Sequence, residues 1–217
     1  LVGGVRVVLD RGAAARRWVT LMVDRGVVIN LALETIQSPR SAAKKIMSLN
    51  LSRDVLWSGL FLVAAINSII YSFSLLFSDT SMLPALFSNP VLFFVIVTGV
   101  LILTIHGFYW TGRAIGGKGE FGDLLALLVW LQALRAVAQL VMFVLMVVSP
   151  VLGQLFSLGV GILGLWITVN FITEALHLPS VLHAVGVVVL AAVGIVFGLA
   201  ILAGLIGLGA MGVPSNV

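Results

Sequence analysis

Five apolar runs of twenty residues or more, at about residues 54–77, 91–110, 124–148, 151–176 and 181–208, leave this chain few ways to fold. At about 1.5 Å of rise per residue, each run covers the roughly 30 Å hydrocarbon core of a bilayer as a helix. The composition agrees: 61% of residues are hydrophobic, 9% are charged and mean hydropathy is +1.22, against about 25% charged in soluble domains. The expected fold is all-α: a polytopic membrane protein with a five-transmembrane-helix bundle and an amphipathic cytoplasmic N-terminal helix.

The net charge of +4 does not point to nucleic acid, because nine of the twelve Lys and Arg precede residue 54. Such clustering reads as topology and lipid contact. Arg113 and Lys118 lie in the 111–123 loop, whereas residues 78–90, 149–150 and the C-terminal segment carry no base. The positive-inside rule then places the N-terminus in the cytoplasm and the C-terminus outside, in an integral membrane setting. Three regions are expected: 1–53, cytoplasmic and basic; 54–209, the membrane domain; and 210–217, a short outside tail. Residues 1–21 read equally well as an over-extended start ahead of Met22. The absence of cysteine excludes disulfides and thiolate metal sites.

Ahead of the spans, Val28, Leu31, Ala32 and Ile36 have the spacing of one face of a short helix. Ser38-Pro39 then opens PRSAAKKIMSL. Ala42, Ala43, Ile46 and Met47 form one face of this segment, and Arg40, Lys44 and Lys45 the other. Two settings suit it: a membrane-surface basic helix on an anionic leaflet, or a solvated helix docked on its own bundle. Trp57, Tyr109 and Trp110 fall near span ends, as interfacial aromatics do, while Trp130 and Trp166 lie deeper, where packing within the bundle is expected.

The third span carries Arg135 near its middle, with Gln132 and Gln139 three residues before and four after it on one polar stripe. A central Arg costs about 2.5–3.5 kcal/mol on insertion scales, so it should face the bundle or water and find partners. Asn67 lies at similar depth on the first span, and no carboxylate does. Amides that fix packing, an anion or lipid, or another protein could satisfy this arginine.

Gly117-Lys118-Gly119-Glu120-Phe121-Gly122 matches the dinucleotide fingerprint in letters but lacks the preceding strand, and its acids would repel phosphate. A sharp re-entry turn suits these glycines better. Glu174-x-x-His177 has the spacing of a di-metal bundle ligand pair, with His183 and His106 toward the same side, yet such sites need two such motifs. An interfacial helix end is the plainer account, and no metal or cofactor is expected. Gly194 and Gly198 give the fifth span a small face for packing within the bundle or between copies.

With SPRSAAKKIM ahead of five spans and GGKGEFGDLLALLVW opening the third, the chain resembles over residues 35–208 the bacterial branch of the Yip-one domain family, the Ypt/Rab-interacting membrane proteins. The resemblance implies five membrane helices with a cytosolic N-terminus and no catalytic motif. The eukaryotic Asp-Leu-Tyr-Gly-Pro motif is missing, so Rab binding is not carried over. The expected function is a non-enzymatic membrane scaffold or adaptor that binds membrane lipids and other membrane proteins, or itself through the Gly194 and Gly198 face. The alternative is a small transporter or channel with an anion path along Arg135, Gln132, Gln139 and Asn67.

Overall fold

The computed structural model describes residues 25–75, 87 and 89–210. Expectations for residues 1–21, for most of the 78–90 loop and for the tail beyond 210 fall outside them. Among the described residues seven helices follow in order: α1 (Arg25–Gln37), α2 (Pro39–Met47), α3 (Arg53–Leu75), α4 (Pro90–Ala114), α5 (Phe121–Val148), α6 (Pro150–Ala175) and α7 (Val181–Ala210). No strand occurs among the described residues. The last five are long and apolar enough to cross a membrane, so the chain is an integral membrane protein of five candidate spans.

Local chemistry sets several ends. Asn89 accepts hydrogen bonds from the Val91 and Leu92 amides, and Pro90 takes the first turn of α4, where its missing N–H costs nothing. Ser149 is extended between α5 and α6, and Pro150 opens α6. The polar residues 111–114 continue α4 rather than forming a loop, and α5 begins three residues earlier than its apolar run. Both extensions belong to helix ends that are packed against protein rather than lipid.

The core lies toward one end of the bundle. There Leu56, Leu60, Leu124, Leu125, Leu127, Phe171, Ile172 and Leu176 are buried between α3, α5 and α6, and Ile105 and Val187 join α4 to α7. Arg40, Lys44, Lys45, Arg53, Arg113 and Lys118 gather at this end, here called the basic end. Toward the far end the helices turn large apolar side chains outward: Val137, Leu140 and Val144 on α5, and Leu155, Leu158 and Ile162 on α6. In water this would be an exposed patch; for a spanning bundle it is the lipid-facing belt.

Two expectations are corrected here. Trp166 is 45% exposed rather than packed within the bundle, because it lies on the outward side of α6 beside Leu165 and Ile162, while the next residue, Ile167, faces the core. On α1 the inward face holds Leu31 and fully buried Thr35, whereas Ile36 is exposed. Thr35 lies nearer than Ile36 to the centre of the Val28–Leu31–Ala32 face, and its hydroxyl is satisfied on both sides.

Candidate functional site

At the basic end, α1 and α2 fold against the spans as a collar. The apolar face of α2 (Ala42, Ala43 and Ile46) is buried against α5 and α6. Pro39 is the first residue of α2, and Ser38 marks the bend from α1 without a side-chain capping bond. The basic face meets polar groups of the same chain. Arg40 Nε donates to Asn170 Oδ1 at 3.0 Å, Lys44 Nζ lies 3.4 Å from Glu174 Oε1, and Lys45 Nζ donates to Glu34 Oε2 at 2.6 Å. Ser41 Oγ donates to the other Glu34 oxygen at 2.6 Å, and these two donors hold the Glu34 carboxyl below the usual carboxylate range. Trp130 Nε1 donates to Thr35 Oγ1 at 3.0 Å, while the Thr35 hydroxyl donates to the Leu31 carbonyl.

The glycine loop closes the collar from the other side. Lys118 N donates to Leu176 O at 2.9 Å, and Gly117 N donates to Gly112 O at 2.8 Å. Leu176 O thereby gains a donor beyond its helix end. Gly119 lies so close to the turn after α6 that a Cβ there would collide with the Ala175 carbonyl oxygen, and one at Gly117 would sit 2.7 Å from Gly112 O. The glycines are required by backbone-on-backbone packing, and Gly116 also by a φ of +97°.

Arg135, expected to face the bundle or water, is exposed on the outer surface of α5. Among the described residues it has no hydrogen bond or ion pair, so the amides do not satisfy it. Gln132 and Gln139 are half-buried beside it on α5, and Gln139 Oε1 is buried without a partner. Asn67 is buried on α3, where Nδ2 donates to its own helix at Val63 O and Oδ1 is left without a partner. Ser68 Oγ and Thr98 Oγ1 are likewise buried and unpartnered. The Tyr71–Phe93 ring stack at 3.7 Å sets α3 beside α4, and the Phe73–Phe143 contact at 5.4 Å sets it beside α5.

Glu174 and His177 do not form a metal centre: Glu174 faces Lys44, and no group of three or more His, Cys, Asp or Glu suited to a metal occurs among the described residues. His106 Nδ1 is 2.8 Å from Ile102 O, and His183 Nδ1 is 2.8 Å from Ser180 Oγ. A cavity of about 130 Å³ at the basic end is lined by Ile46, Met47, Leu56, Glu120 and Asp123 among others. Another of about 330 Å³ lies between α3 and α4, lined by Ser68, Ile69, Ser72 and Phe94 among others. Neither is lined by Arg135, Gln132, Gln139 or Asn67.

The sequence reading missed Thr35 and Asn170. Each is a polar residue set in an apolar helical segment, and that was the available signal. Both now join the N-terminal helices to the spans. The family profile of the Yip1 domain matches residues 33–203, which run from within α1 to within α7. No curated protein and no solved structure gave a significant match.

Proposed function

The chain belongs to the Yip1 domain family, and on that premise we propose that it is a non-enzymatic membrane scaffold or adaptor. It would bind other membrane proteins through the outer surface of its spans. The observation that carries this reading is Arg135, which is exposed on α5 without a hydrogen bond or ion pair among the described residues. A charge so placed in a span favours association with a group that neutralises it. Gly194 and Gly198 support the same reading, since each faces open space and leaves room for another helix, including that of a second copy. The anion-path alternative gains no support from the two cavities. The basic end is proposed to face the cytoplasm of a bacterial inner membrane, with the C-terminus outside.

The test is co-purification from native membranes in mild detergent, comparing the wild type with Arg135→Leu. A retained fold with a lost companion protein is the expected result. If Arg135→Leu keeps every companion but abolishes a solute flux, transport replaces the scaffold. Reporter fusions that put both termini on the same side would defeat the proposed topology.

A further inference from the structure

The basic face of α2 is turned toward groups of its own chain, and its apolar face is buried in the collar, so its amphipathicity is consumed within the fold. Its neighbour α1 is different. Ile29, Leu33 and Ile36, spaced i, i+4, i+7, form a stripe along one face and are 57%, 49% and 45% exposed. The opposite face, with Leu31 and Thr35, is turned into the bundle.

The depth of this stripe follows from what α1 and α2 hold. Thr35 is bonded to Trp130, nine residues inside the first residue of α5. Arg40 is bonded to Asn170, whose Nδ2 donates to the carbonyl of Trp166, nine residues inside the last residue of α6. The two tryptophans therefore stand at matching depth, about 14 Å below the basic ends of their helices. From Trp130 to Val148 is about 27 Å and from Pro150 to Trp166 about 24 Å, close to the roughly 30 Å of a hydrocarbon core. On α6 burial changes at this level, since Trp166 is its last exposed large apolar residue on the way to the basic end. Indole rings at such a boundary are the usual aromatic belt.

We propose that α1 is an in-plane membrane helix, with Ile29, Leu33 and Ile36 seated among the upper acyl chains of the leaflet at the basic end. The stripe meets the bundle at its tryptophan belt and continues the lipid-facing surface of the spans. The cations of α2 stand above it, toward the headgroups. This inference is independent of which protein the spans bind.

The chain has no cysteine, so single-cysteine labelling is clean. Ile29→Cys, Leu33→Cys, Ile36→Cys and Lys44→Cys would each carry a polarity-sensitive fluorophore in vesicles of phosphatidylcholine and phosphatidylglycerol, with monodispersity and helicity checking the fold. A shallow acyl-chain nitroxide lipid should quench the first three labels at least about threefold more than the Lys44 label, for groups buried at the headgroup–acyl boundary. Aqueous iodide should show the reverse order. If iodide quenches the α1 labels as strongly as the Lys44 label, α1 is in water and the proposal fails. It also fails if the α1 labels are shielded from both quenchers, since protein would then cover the stripe. Three independent positions keep the result readable if one variant misfolds.

Discussion

The two ends of the bundle both contain glycines and buried polar side chains but are held by different means. At the basic end, backbone lies on backbone at Gly117 and Gly119, and side-chain bonds tie α1 and α2 to α5 and α6. Toward the far end, Gly194 and Gly198 face open space, while Asn67 Oδ1, Thr98 Oγ1 and Gln139 Oε1 are buried without partners. Gly119 is a steric requirement set by backbone, whereas Gly194 and Gly198 leave room for something outside the chain, although Gly153 at the far end is closed against Met146. The basic end is specified from within, and the far end leaves its surface to lipid or to another protein.

Substitution at the glycines should break this comparison most sharply. In Gly119→Ala the new methyl meets the Ala175 carbonyl, a backbone atom that cannot move without the end of α6. A loss of about 3 kcal/mol or more is expected, read as loss of monodisperse protein or early unfolding in detergent. Gly194→Ala and Gly198→Ala should leave the isolated chain unchanged or up to about 1 kcal/mol more stable, since alanine is the better helix former. An equal loss at both sites would mean that the far end is also closed by its own chain. Trp130→Phe should act next. It removes the donor to Thr35 at a cost of about 1 kcal/mol, and hydrogen exchange should show faster opening of α1 with the far end unaffected.

How far the sequence reached depends on whether an interaction is local. Span number and position follow from length and apolarity alone, and the structure has the same five helices within a few residues. The helix-opening prolines at 39, 90 and 150 are local as well. The 115–120 loop could be read as a turn, but not as the partner of Leu176, because nothing near Gly119 states which carbonyl will lie against it. The amphipathic pattern of α2 suits lipid or protein equally, and Asn170 and Glu174 decide between them from 130 residues away. Arg135 can be put near the middle of its apolar run by counting, but the outward turn of that side of α5 depends on which of its faces α3 and α6 cover.

Asn67 sharpens the comparison from the other side. Its Nδ2 is bonded within α3 and its Oδ1 is orphaned, so Asn67→Leu removes an unsatisfied buried acceptor at similar volume. Unfolding in detergent should show a change between zero and a gain of about 1 kcal/mol. A clear loss instead would mean that Oδ1 is engaged by a water or a bound molecule and that the far end is not merely loosely satisfied.

The smallest expected effect concerns Glu34, which holds α1 to α2 through Lys45 and Ser41. Those donors favour the ionised carboxyl, so its folded pKa is depressed. A depressed acid contributes above its unfolded pKa and loses that contribution as pH falls through the lower folded value. Between about pH 6 and 8 the tie should be insensitive to pH. Below the ordinary carboxylate range, exchange of the α1 amides should quicken until the wild type matches Glu34→Gln, because both then lack the charge. Lys45 is largely exposed, so the tie is weak and the collar should otherwise stay closed, with α2 still buried against α6 and Thr35 still bonded to Trp130. If acid instead releases α2 as well, the charged face rather than the buried Ala42–Ala43–Ile46 face holds the collar, and the contrast between the two ends would rest on electrostatics rather than on packing.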